Sequence, residues 1–103
     1  MNQNKSADIS ERDVISITNA QASCDFEGET IILNLKDGVY YGLNDVGARV
    51  WELLQEPKRV SEIRETLLAE FDVEPEVCAR DLDALLKDLK LRDLIEVRND
   101  ASF

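Results

Sequence analysis

The chain has 103 residues, room for one compact domain with a modest core and too few for two. Twelve Lys and Arg against twenty-two Asp and Glu leave a net charge of −10. That balance argues against a nucleic-acid binder, which collects cations to displace counterions, and against docking on an anionic membrane, while it suits a basic partner such as a Lys- or Arg-bearing peptide.

Residues 1–13 are polar and mixed in charge, with no apolar signal stretch, and read as a flexible tail. Val14–Thr18 is short and β-branched. Ala22, Cys24 and Phe26 alternate with polar neighbours, the period of a half-buried strand, and Glu27-Gly28-Glu29 makes a turn. In Thr30–Lys36, Ile31, Leu33 and Leu35 share one face and Ile32, Asn34 and Lys36 the other. Asp37-Gly38 between two strand-like runs predicts a type I′ hairpin, with Val39–Leu43 as the return strand. Val39, Tyr41 and Leu43 point one way, Tyr40 and Gly42 the other. The expected sheet is a three-stranded antiparallel meander, with Val14–Thr18 as a candidate addition.

The second half is helical. Asn44 caps a helix to about Gln55 with Val46, Val50, Leu53 and Leu54 at helical spacing and Trp51 as a core anchor, and Pro57 stops it. Ser61 is the expected cap of a second helix to Phe71, which buries Ile63, Leu67, Leu68 and Phe71. Pro75 opens a third, to about Arg92, striped by Leu82, Leu85, Leu86 and Leu89. Leu94–Val97 is short and extended, and residues 99–103 read as a loose tail. The order implies an α+β, winged-helix-like domain over residues 14–98, a three-stranded antiparallel sheet followed by three helices.

Little in the chain suggests chemistry. Without histidine there is no His-based acid–base pair or triad. Cys24 and Cys78 are far apart and too few for a disulfide framework or a zinc site, and they suit a reducing cytosol. Both read as core residues rather than nucleophiles. The glycines form no phosphate-cradling loop, and no apolar run approaches the ~18 residues of a membrane span. The expectation is a cytoplasmic protein that is no enzyme and takes no metal or cofactor. Three helices and a hairpin wing also describe DNA readers, but the second and third helices carry Glu62, Glu65, Glu70, Glu74, Glu76, Asp81, Asp83 and Asp88, which phosphate would repel.

From Leu33 to Ile95, about two-thirds of the chain, the sequence resembles the PqqD-like proteins. These are the peptide chaperones of pyrroloquinoline quinone biosynthesis, with relatives that recognise leader peptides in lasso-peptide and other ribosomal-peptide pathways. The resemblance lies in the order and spacing of G-x-Y-Y-x-L-N at Gly38–Asn44, Trp51-Glu52-Leu53-Leu54, Val60 with Ser61-Glu62-Ile63, D-L-x-x-L-L-x-x-L at Asp81–Leu89, and Asp93-Leu94-Ile95. It implies a domain that binds the leader of a precursor peptide as an antiparallel strand against Val39–Leu43, in a cleft beside Pro75–Arg92. The peptide then passes to a modifying enzyme or leader peptidase. An exposed strand edge can accept such a peptide. The expected contacts are Val39, Tyr40, Tyr41, Gly42 and Leu43 on the strand, and Cys78, Asp81, Leu82 and Leu85 on the helix. Asp81 is a candidate partner for a leader Lys or Arg. The chain is expected to be a monomer or weak dimer. The competing reading is an acidic winged-helix regulator or protein-interaction adaptor with no peptide substrate.

Overall fold

The computed structural model of the chain describes residues 9–27 and 29–99. Three strands, β2 (Gln21–Phe26), β3 (Glu29–Asn34) and β4 (Tyr40–Leu43), form an antiparallel sheet in that order. In register, Ser23 faces Ile32 and Ile32 faces Tyr41, while Cys24 faces Ile31 and Leu33 faces Tyr40. Since side chains alternate across a strand, Ser23, Ile32, Tyr41 and Leu43 share the inner face. Ile32 is fully buried there. The outer face carries Ala22, Cys24, Phe26, Ile31, Leu33 and Tyr40; Phe26 and Tyr40 are 60% and 69% exposed.

This corrects the expectation that Cys24 is a core residue: it is exposed. Strand alternation separates two faces without saying which one the helices cover. In Thr30–Lys36 the more apolar face, Ile31, Leu33 and Leu35, is the outer one, and the core takes the side of Ile32 and buried Asn34. The Asp37-Gly38 turn also differs from expectation. Gly38 has φ of 74°, but Asp37 is not among the residues with positive φ, so the turn is not type I′. The strands instead stop earlier, at Asn34 and Tyr40, and a longer loop joins them. Within it the Gly38 N–H donates to the Asn34 carbonyl at 2.8 Å and the Val39 N–H to Asp37 Oδ1 at 2.9 Å.

Three helices follow: α1 (Asp45–Leu53), α2 (Val60–Glu70) and α3 (Pro75–Leu91). Asn44 caps α1 as expected, its Oδ1 accepting from the Gly47 N–H at 2.9 Å. Ser61 does not cap α2; the cap is Arg59, whose N–H donates to Glu62 Oε1 at 2.9 Å. The free N–H groups of Val60 and Ser61 are taken by the carbonyls of Asp13 and Glu11. Residues Ile9–Asp13 thus lie against α2: Ile9 packs on the core, Asp13 is buried, and Glu11 pairs with Arg64. Residues 1–8 and 100–103 of the two expected tails, and Gly28 of the expected turn, lie outside the described residues.

A second antiparallel sheet, ordered β5-β1-β6, takes β1 (Val14–Ile17) away from the meander. Its partners are β5 (Lys58–Arg59) and β6 (Ile95–Arg98). The core lies between the helices and both sheets and includes Ile15, Ile32, Val50, Trp51, Leu54, Ile63, Leu67, Leu82, Leu86, Leu89 and Leu94. Trp51 is an anchor as expected: it is 3% exposed, and its Nε1–H donates to Ser23 Oγ at 3.2 Å. The fold is α+β, a winged-helix-like domain.

Leu86 is fully buried on α3. Leu86→Ala is expected to cost about 2–5 kcal/mol, from lost burial and the cavity left behind, read as a lower urea midpoint with unchanged slope.

Candidate functional site

β4 is an edge strand among the described residues, where β3 is its one partner in the sheet. Which of its backbone groups are free follows from the ladder. The Asn34 N–H donates to the Val39 carbonyl at 3.0 Å, so Asn34 turns its hydrogen-bonding groups toward β4. By alternation Ile32 does the same, and its opposite residue Tyr41 turns inward to meet it. The N–H and C=O groups of Tyr40 and Gly42 therefore point off the open edge.

Beside this edge lies a cavity of about 400 Å³. One wall is Tyr41, Gly42, Leu43 and Asn44, another is Cys78, Asp81, Leu82, Ala84 and Leu85 of α3, and Val46, Gly47, Val50, Leu67, Phe71 and Val73 complete it. The structure thus gathers Tyr41, Gly42, Leu43, Cys78, Asp81, Leu82 and Leu85 around one space. Val39 and Tyr40 do not line it, and Val39 precedes the strand. Among the lining residues, Val46 and Gly47 went unnoticed as site candidates in the sequence. Val46 read as core from its spacing but is 39% exposed. Gly47 lets α1 approach β4 closely: a Cβ there would lie 3.1 Å from Leu43 Cδ2.

The walls differ in chemistry. Leu82 is buried at 4% exposure, while Leu85 is half-buried. Burial pushes the Cys78 thiol up, with Asp81 adding to the rise and Arg64 opposing it, so Cys78 is an apolar neutral group here and not an activated nucleophile. Asp81 is exposed, with Arg80 Nε at 3.8 Å.

At the far end β4 and α3 are joined directly. The Tyr41 hydroxyl donates to Asp88 Oδ2 at 2.6 Å, and Arg92 Nε donates to Asp88 Oδ1 at 3.3 Å. The Arg92 guanidinium lies 4.7 Å from the centre of the Tyr41 ring, and the Arg92 carbonyl accepts from buried Asn34 Nδ2 at 2.7 Å. Burial, then the hydrogen bond and charge of Asp88, push the Tyr41 hydroxyl up to about 12, against the opposing charge of Arg92. Asp88 and Arg92 are absent from the candidates read off the sequence. The available signal was spacing: Asp88 is seven residues from Asp81, two helical turns along the same face. Among the described residues no group of three or more His, Cys, Asp or Glu is placed to hold a metal ion, and no helix is long and apolar enough to cross a membrane.

Comparison with known proteins gives matches that agree in kind. A family model, Coenzyme PQQ synthesis protein D (PqqD), matches residues 29–95. A solved structure, TbiB1 in complex with the TbiA(beta) leader peptide, is 38% identical with a TM-score of 0.73, covering 79% of this chain and 94% of that one. A second, lasso peptide synthetase B1 complexed with the leader peptide, is 21% identical with a TM-score of 0.66, covering 80% and 96%, and speaks to the fold. No curated protein matches.

The raised Tyr41 value carries a sign. The folded pKa of about 12 lies above the ordinary 10.0, so the folded state holds this proton more tightly. The stabilisation is fully present below the unfolded value and is lost as pH rises through the folded one. Denaturant midpoints should therefore fall more steeply for the parent chain than for Tyr41→Phe as pH climbs over that interval. In a 13C titration of the Tyr41 ring, Asp88→Asn should bring the midpoint partway back.

Proposed function

This chain belongs to the PqqD family, and on that premise we propose that it is a recognition element and chaperone for the leader region of a ribosomally made precursor peptide. The observation that carries the reading is the open edge of β4, with the Tyr40 and Gly42 backbone facing outward beside a cavity lined by α3. An extended peptide pairs with such an edge through main-chain hydrogen bonds, which hold it without reading its sequence, and side-chain pockets supply the choice. Support comes from TbiB1, 38% identical and solved with a leader peptide bound.

Within this reading the leader contacts Val39, Tyr40, Tyr41, Gly42 and Leu43 on one side and Cys78, Asp81, Leu82 and Leu85 on the other. The cavity accepts apolar leader side chains against Leu43, Val50 and Leu85. Asp81 stands at its wall to receive a cation. The bound peptide passes to a modifying enzyme or leader peptidase, while this chain performs no chemistry itself and works without a cofactor. We place it in the cytoplasm as a monomer or weak dimer, with residues 14–98 as the peptide-binding domain. The alternative of an acidic regulator gains nothing from the geometry, since α3 presents Asp81 and Asp88 beside the strand edge.

Titration of the 15N-labelled protein with the TbiA(beta) leader peptide tests this directly. Amide shifts should centre on Tyr40–Leu43 and the cavity face of α3; shifts centred elsewhere, or none, overturn the reading. The ladder also selects the right proline. At Tyr41 it would remove a donor to β3 and damage the sheet. Gly42→Pro removes an N–H that faces off the edge, where proline is tolerated, and no atom lies within 4 Å of a Cβ built there. That variant should fold and lose at least about tenfold in leader affinity, roughly the worth of one to two hydrogen bonds.

A further inference from the structure

We propose that Tyr41, Asp88 and Arg92 are positioning residues that tie β4 to α3 and so fix the downstream half of a bound leader, resting on the peptide-binding reading of β4. The cleft is built unequally along its length. Toward Leu43, the strand and α3 stand apart across the cavity, with Cys78, Asp81, Leu82 and Leu85 opposite. Toward Tyr40, the Tyr41 hydroxyl spans from strand to helix and closes on Asp88 at 2.6 Å. A third element joins the tie, because β3 reaches the end of α3 through Asn34 Nδ2 and the Arg92 carbonyl. The Asn34 Oδ1 also accepts from the Lys36 N–H at 2.9 Å, which holds the hairpin loop to the same point.

Two consequences follow. An antiparallel leader runs opposite to β4, so its upstream residues lie over the open cavity and its downstream residues pass the tie. The tie presets the spacing between strand edge and helix there, and the ordering it provides need not be supplied on binding. Asp88 is also committed. One oxygen accepts the Tyr41 hydrogen bond and the other accepts from Arg92 Nε at 3.3 Å, and Arg92 stacks over the Tyr41 ring. Of the two carboxylates on this face of α3, Asp88 therefore serves the protein's own geometry. Asp81, exposed and paired with Arg80 Nε at 3.8 Å, lines the cavity where a ligand can reach it.

The test uses the full-length chain, the TbiA(beta) leader peptide, and the same peptide shortened stepwise from its C-terminal end. Tyr41→Phe keeps the ring and removes the donor. It should weaken the intact leader about fivefold, the scale of one hydrogen bond, mostly through faster dissociation. The penalty should vanish for shortened peptides that still bind but no longer pass Tyr41. Asp88→Asn retains an acceptor for the hydroxyl and should fall between the parent and Asp88→Ala. Thermal melts of each variant show that it is folded. An equal penalty at every peptide length assigns the cluster a merely structural role and overturns the proposal, as does no penalty at all. Failure of the parent chain to bind the intact leader overturns the peptide-binding reading itself.

Discussion

The structure depends on the burial of one face of a three-stranded sheet. β3 is the central strand, giving its ladder groups to β2 on one side and β4 on the other. Its Ile32 points into the core without exposed surface, and its Asn34, 7% exposed, spends its amide on the Arg92 carbonyl. Everything functional is placed by what that burial leaves over. Helix α1 covers the inner face, drawn close at Gly47 and fixed by the Trp51–Ser23 hydrogen bond. α3 closes on the β4 edge at Tyr41, and among the described residues nothing pairs with the remainder of that edge beside its flanking cavity. A buried unpaired amide costs about 1–3 kcal/mol, and Asn34 is therefore as much a constraint on where α3 ends as a member of the core.

Much of this was legible in the sequence, for particular reasons. The meander, the three helices, the Asn44 cap and the leucine stripe of α3 follow from local periodicity and chemistry, which single segments carry. The inner face of the sheet was not legible, because in Thr30–Lys36 the more apolar face, Ile31, Leu33 and Leu35, is the outer one, and the core takes Ile32 with Asn34; Cys24 fell on the wrong side for the same reason. β1 joins β5 and β6 rather than the meander. That pairing is long-range, and Lys58-Arg59 has nothing strand-like to announce it. The cap of α2 was misplaced because its first N–H groups are met by carbonyls of Glu11 and Asp13, residues almost fifty positions earlier in the chain. The cavity residues Tyr41, Leu43, Asp81 and Leu85 were named through the family resemblance, which supplied the strand and the helix, with helical spacing choosing the face of α3. The tie at Asp88 and Arg92 was not named: spacing puts Asp88 on the face of Asp81, but its meeting with Tyr41 depends on how far the tyrosine reaches across to α3.

Charge is arranged to hold helices together as well as to set the overall sign. Arg49 on α1 donates from Nε and Nη2 to the two carboxylate oxygens of Glu70 on α2, both at 2.8 Å, and from Nη1 to Glu52 at 2.9 Å. The forked geometry joins two helices that both contribute to the core, α1 through Val50 and Trp51 and α2 through Ile63 and Leu67. These carboxylates hold the guanidinium's proton more firmly, and Arg49 in turn keeps Glu70 ionised to lower pH than usual. The groups are solvated, so the pair contributes orientation more than stability.

The outer face of the β2-β3-β4 sheet has a physical consequence of its own. Ala22, Cys24, Phe26, Ile31, Leu33 and Tyr40 form a sheet surface with no helix over it among the described residues, the kind of surface on which two copies would stack. Every copy also carries ten surplus negative charges. Close approach brings like charge against like charge within a screening distance of about 8 Å at physiological salt, so repulsion opposes the gain from burying these side chains. The acid excess that first spoke against nucleic acid thus also acts as a colloidal guard.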